Sequence, residues 1–326
     1  MIGRAWATLV SFWGEEAPAT SLALVRICLA ACWLYDLLHI WRLGLVVPLF
    51  GVEEVGGWSH ALTREPLPWW AHMLPPSADS AMLLHGVMTL SALTLLLGLF
   101  SRTSALVLLL AWLQWIDFLP TGDRGIDQLS RHLLLILMFA PAAHTLSIDA
   151  WWRTGRAHDP SPAPDWGRKL VIGQMVLMYF TAGVLKSGVT WWPMAGYAAL
   201  YFALQDPSVA AYDFSWTRNQ PWFFFTQIGT AATVLYQATY PLVLLLLLWR
   251  RRPDLGGRLA RFCNRYRVEW LWLLTGAWFH VSLGAVMNLG IFPWAMLALY
   301  PAWVGPNEWS AVADRLRRAL PTRAAV

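Results

Sequence analysis

Charge is what this chain has least of. Only 13% of its 326 residues are Asp, Glu, Lys or Arg, about half of the ~25% typical of a soluble globular domain. Too few charges remain to solvate a water-exposed surface. With 57% hydrophobic residues and a mean hydropathy of +0.46, the composition predicts an integral membrane protein. Cysteine is scarce too. Cys28, Cys32 and Cys263 are too few for a disulfide framework, and Cys28 and Cys32, at i and i+4, read as small packing residues on one helix face. The chain has no His-Glu-x-x-His, Cys-x-x-Cys, P-loop or dinucleotide fingerprint, and no histidine pair spaced for heme, so a protein-bound metal is not expected. No internal repeat shows. The opening residues lack a basic region followed by a short apolar core, so no cleavable signal peptide is expected.

Tryptophan is plentiful at 23 residues, as membrane interfaces favour. Long apolar runs predict an all-α polytopic membrane bundle of about eight spans, at 20–42, 79–100, 103–119, 129–147, 168–187, 224–249, 268–288 and 290–304. The third is short, and Pro293 interrupts the last. The expected organisation is an N-terminal segment 1–19, a membrane domain 20–305 and a short tail 306–326, with Pro-rich 159–164 as a linker. Eight spans put both termini on one side. Seventeen of the Lys and Arg residues then share that side, five face the other, and Arg26 and Lys186 lie within spans. By the positive-inside rule both termini are cytoplasmic. The net charge of +5 thus meets anionic lipid rather than nucleic acid.

Ionisable groups at membrane depth are costly and point to function. In this topology Asp36, His39, His85, Gln114, Asp117, Arg131, His132, Lys186 and His280 all fall in the outer half, with little besides Arg26 in the inner half. Such a one-sided layer predicts a wet cavity that opens outward. Each member also has a plainer reading. Asp36 pairs with an arginine of a neighbouring helix, Arg131 being the candidate; His39, His85 and His132 sit at the headgroups; the aromatic loops 43–78 and 188–223 anchor the interface rather than forming a lid. His280 lies deep in its span, where snorkelling is harder.

Lysine is the rarest base, confined to Lys169 and Lys186. Lys186 ends the apolar run Gln174–Lys186 and is followed by Trp191 and Trp192. Arginine stays protonated, whereas a partly buried lysine can shed its proton and act as a base. The alternative is a lysine snorkelling to the surface. Tyr179, seven residues earlier, is expected on the same helix face.

Tyr179-Phe-Thr-Ala-Gly-Val-Leu-Lys186, with Trp191 and Gly196-Tyr197, resembles the signature of the vitamin K-dependent γ-carboxylase family. Its bacterial relatives carry the same membrane core, the horizontally transferred transmembrane (HTTM) domain. Phe279-His280 through Phe292-Pro-Trp agrees, as do Arg26-Ile, Tyr35-Asp36 and Ser147-Ile-Asp149-Ala. The resemblance spans about 20–305.

It implies a membrane enzyme of the bacterial inner membrane, with its site facing the periplasm. A lysine base at Lys186 would act on a reduced vitamin K or menaquinol-type quinone. O2 and CO2 would be co-substrates, and quinol epoxidation would be coupled to carboxylation or another C–H deprotonation. His132 looks like the family's active-site histidine. The candidate catalytic residues are Lys186, His132 and His280; those expected around the cofactor are Tyr179, Trp191, Trp192, Tyr197, Asp36 and His39. Expected partners are membrane lipid, the lipophilic quinone and a peptide or small-molecule acceptor, with no nucleic acid. Two departures leave the acceptor open. The short tail has no large lumenal domain for recognising a substrate propeptide, and Leu185 stands where the protein-modifying enzyme has a second lysine. The competing reading is a non-catalytic membrane protein that binds a quinone or lipid, or scaffolds a partner. A transporter ranks third, because no inverted repeat or broken helix pair is visible in the sequence.

Overall fold

The structure, a computed structural model, describes residues 6, 10–59, 74–75, 77–305, 308–309, 311, 315 and 318. Arg4, Arg64, Trp69, Trp70, Arg317, Arg323 and most of the expected tail lie outside the described residues. The chain is mostly helical, with helices α1 Thr20–Arg42, α2 Val46–Phe50, α3 Ala78–Leu97, α4 Ser101–Phe118, α5 Gly125–Phe139, α6 Ile148–Thr154 and α7 Trp166–Val184. After these come α8 Ala199–Gln205, α9 Trp222–Ala238, α10 Leu242–Arg251, α11 Gly257–Tyr266, α12 Val268–Val286 and α13 Phe292–Leu297. The all-α expectation needs one amendment. Strands β1 Glu16–Pro18 and β2 Pro162–Pro164 form a short antiparallel ribbon. The chain divides into two compact units, Met1–Val171 with Ala298–Val326, and Ile172–Leu297.

In the first unit α1, α3, α4 and α5 pack in sequence order. Helices α1 and α3 are long and apolar enough to cross a membrane. Their 23 and 20 residues rise about 35 and 30 Å, matching a hydrocarbon core of ~30 Å. Their buried positions include small residues, Ser21, Ala23 and Ala30 on α1 and Ala81, Ser91 and Ala92 on α3, beside larger ones such as Leu29, Trp33 and Met88. Large apolar side chains such as Leu83, Leu90 and Leu97 point outward. In lipid, hydrophobic burial drives helices together only weakly. Small residues let backbones approach and gain dispersion contacts, while leucines stay in the acyl chains.

One end of this unit gathers the chain's distant segments. The β1–β2 ribbon joins residues before α1 to the linker before α7. Ser21 Oγ donates to Val304 O (2.7 Å), and Arg168 Nη1 to Ala302 O (3.0 Å). The described ends of the chain therefore meet there. Lys169 joins this network, donating to Glu15 (2.8 Å) and to Phe12 O. Ser147 caps α6 by accepting from Ala150 N, and Asp149 caps the N-terminus of α4 by accepting from Phe100 N and Ser101 N. The carboxylate thereby satisfies amides that the helix start leaves open.

Two expected spans are corrected. The segment 290–304 holds only the six-residue α13 and a 3₁₀ turn, Tyr300–Trp303. At ~1.5 Å per residue, α13 covers about 9 Å, too short to cross alone. The segment 224–249 is two helices, α9 and α10, bent by 50°. Pro241 starts α10 and has no N–H to continue the ladder of α9. A broken helix pair is thus present, although the sequence reading saw none.

Candidate functional site

In the second unit α7, α9 and α12 carry the polar residues. Gly183 explains how closely the first two approach. A Cβ there would overlap Ala238 N and fall 2.8 Å from Gln237 C. Only glycine lets α7 meet the end of α9, where the chain breaks before α10. That break carries Tyr240, which is fully buried and stacks on Tyr179 at 4.0 Å between ring centroids.

Tyr179 and His280 form the buried centre. Both are within 2% of complete burial, and Tyr179 Oη lies 2.6 Å from His280 Nε2. His280 Nδ1 is buried without a hydrogen-bond partner. Phe279, Phe292 and Tyr179 crowd the imidazole. The depth read from sequence for His280 thus fits a packed, dry position rather than a headgroup one. Tyr236 flanks Tyr179 edge-on (5.7 Å) and donates its hydroxyl to Trp272 O (3.2 Å). Tyr236 and Phe279 also line an apolar cleft of about 340 Å³ between α9 and α12, with Thr233 and Thr275 among its few polar groups.

Helix α7 ends at Val184, so Lys186 sits just past it, half-buried. Its Nζ donates to Ala182 O (3.0 Å) and lies 4.2 Å from the Trp191 ring centroid. Trp192 Nε1 returns a hydrogen bond to Lys186 O (2.8 Å). Two 3₁₀ turns, Val189–Trp191 and Pro193–Ala195, fold the following loop, and the first packs against α9. Gly196 and Tyr197 then adopt positive φ, and Gly196 O accepts from Gln227 of α9 (2.6 Å). No carboxylate pairs with Lys186 among the described residues; its cation rests on a carbonyl and an indole face. Such an amine is held in place but remains available.

The expected site residues therefore fall into separate groups. Lys186, Trp191 and Trp192 come together, and Tyr179 meets His280. Tyr179 and Lys186 do not touch, because seven residues separate them by about 10 Å along the helix. Tyr197 contacts the Trp192 backbone rather than the lysine. In the first unit His39 is exposed and stacks on Tyr35, and His132 is exposed. Asp36 pairs with Arg124 (2.8 Å), not with Arg131, which pairs with Asp123. His85 is buried, with Nε2 3.0 Å from Leu37 O. Sequence reasoning missed Tyr236 and Tyr240. Their i, i+4 spacing just before Pro241 was the available signal.

A family model described as the HTTM domain matches residues 15–252. The match takes in Lys186, Tyr179, Tyr236 and Tyr240 and ends before His280. No solved structure matches the chain.

Proposed function

The chain belongs to the HTTM-domain family, and from that membership we propose a membrane enzyme that uses Lys186 as its base toward a reduced quinone. HTTM domains are linked to vitamin K-dependent carboxylase-like membrane proteins. The observation that carries the reading is the Lys186 amine, half-buried over Trp191 and free of any carboxylate among the described residues. Pairing with a carboxylate would fix the ammonium form; a carbonyl and an indole face constrain its position while leaving a route to the neutral amine.

The residues present fit a lipophilic ring. The cleft between α9 and α12 is apolar, and its Tyr236 wall touches Tyr179. Trp191 and Trp192 order the turn that holds the lysine. Tyr179 and His280 form a hydrogen-bonded pair able to relay a proton, with Nδ1 as its unused end. When bound, a reduced quinone would supply the reducing equivalents, with O2 and CO2 as co-substrates. We place the enzyme in a bacterial inner membrane, with cytoplasmic termini and the Lys186 end facing the periplasm; the arginine distribution supports this. Tyr197 has less support as a site residue, since it bonds the Trp192 backbone, and so do His39 and Asp36, which are engaged by Tyr35 and Arg124.

The test uses the purified full chain in lipid nanodiscs with menaquinol and O2. Quinol consumption that falls at least a hundredfold in Lys186→Ala supports the reading; unchanged consumption overturns it. The laterally open cleft favours one other reading, a quinone- or lipid-binding protein without turnover. That reading predicts saturable quinone binding, no consumption, and full tolerance of Lys186→Arg.

A further inference from the structure

A second cavity lies wholly in the first unit, at the end opposite the β1–β2 ribbon, and encloses about 270 Å³. Its walls include three nearly buried indoles, Trp33, Trp112 and Trp115, at 0, 4 and 5% exposure. Its polar lining is Asp36, Arg124 and Asp127. Arg124 spends three bonds on Asp127: Nε to Oδ2 (2.8 Å), Nη2 to Oδ1 (3.0 Å) and its backbone N to Oδ2 (2.9 Å). The pair caps the start of α5 and is electrically closed. Asp36 receives one further bond, from Arg124 Nη2 to Oδ2 (2.8 Å). Two carboxylates thus share one guanidinium, which leaves the described lining one negative charge in excess. The nearby Arg131–Asp123 pair is itself neutral and does not line the cavity.

We propose that this cavity binds a small alkylammonium cation, free or as a lipid headgroup. The excess charge sits beside aromatic walls in a partly enclosed space. There an anion would be repelled, and a neutral guest would leave the charge uncompensated. Trp33 is sealed and backs the wall, while the surface left on Trp112 and Trp115 can meet a cation, which indole faces attract through the ring quadrupole, more so once both are desolvated. Trp33 is held rigid by its Nε1 bond to Ser130 Oγ (2.9 Å) and by edge-on packing against Trp112 at 5.8 Å. The walls are therefore set before any guest arrives, which lowers the cost of binding. This inference does not depend on the quinone reading, because its residues lie in the first unit and its test needs no turnover.

Choline and its uncharged isostere 3,3-dimethylbutan-1-ol are titrated calorimetrically into the full chain in maltoside detergent. Choline is expected to bind saturably and at least tenfold more tightly than the alcohol. Asp36→Asn should weaken choline at least tenfold, and Trp112→Phe several-fold, whereas Asp123→Asn should leave it unchanged. Asp127 keeps Arg124 in place in the Asp36→Asn variant, and an unshifted melting temperature checks this. Nanodiscs with and without phosphatidylcholine separate the sources: competition by the lipid identifies a headgroup, and none identifies a free cation. Absence of choline binding, equal binding of the alcohol, or full binding by Asp36→Asn overturns the proposal.

Discussion

Arg26 occupies the space that a side chain on Gly98 would need. A Cβ there would overlap Arg26 Nη1 and the Ser147 side chain. Gly98 also holds φ at +68° as the C-cap of α3. Arg26 is fully buried and donates to Leu95 O (3.0 Å), which also accepts from Gly98 N (3.1 Å), and to the loop carbonyl Leu146 O (2.6 Å), so it ties the end of α3 to the loop before α6. The lone cation in the first half of α1 is thus a structural staple.

Gly98→Ala therefore meets both left-handed strain and a filled site. Destabilisation of about 2–4 kcal/mol is expected, from strain of ~1 kcal/mol upward plus overpacking of 1–3 kcal/mol. Denaturant unfolding in detergent measures it, and a midpoint equal to that of the parent protein would contradict the staple.

The Tyr179–His280 bond is buried on both sides. Tyr179→Phe should cost about 1–3 kcal/mol, because it strands an imidazole nitrogen that already has one unpaired neighbour. His280→Leu should cost less in the Tyr179→Phe background than alone. A double-mutant cycle reads the coupling, expected at about 0.5–3 kcal/mol; strict additivity would mean the contact carries no energy.

Gly183 marks the crossing of α7 with the broken α9–α10 pair. Gly183→Ala should force the backbones apart and destabilise by about 1–3 kcal/mol. Gly173 has open space around an added Cβ, so Gly173→Ala on the same helix should be neutral or slightly stabilising. Comparable melting shifts for the two variants would argue against a close crossing.

At the end of α7, Lys186→Ala should lower quinol consumption by about 10² to 10⁴, the range of a general base. Lys186→Arg should be nearly as damaging, since a guanidinium stays charged. Trp191→Leu should weaken turnover less, by releasing the amine from the indole face. Full activity in Lys186→Arg would show that charge, not proton transfer, is what the position supplies.

The sequence by itself determined the membrane class, the helical fold, the long spans α1 and α3 and the family. These follow from composition, apolar run length and local spacing, all properties of contiguous residues. It also singled out Lys186 and its tryptophans, because a turn of a few residues brings them together. Tertiary structure decided the rest. Asp36 took Arg124 rather than Arg131 because Arg124, at the start of α5, reaches it while Arg131 is held by Asp123, a choice no spacing rule contains. Tyr240 joined Tyr179 and His280 only because the chain breaks before Pro241 and turns its ring inward. His280 stood out in the sequence and is buried; its partner, 101 residues away in sequence, depended on which helix faces pack. Partners across distant elements are chosen by shape and charge at the contact, and the folded chain alone brings those surfaces together.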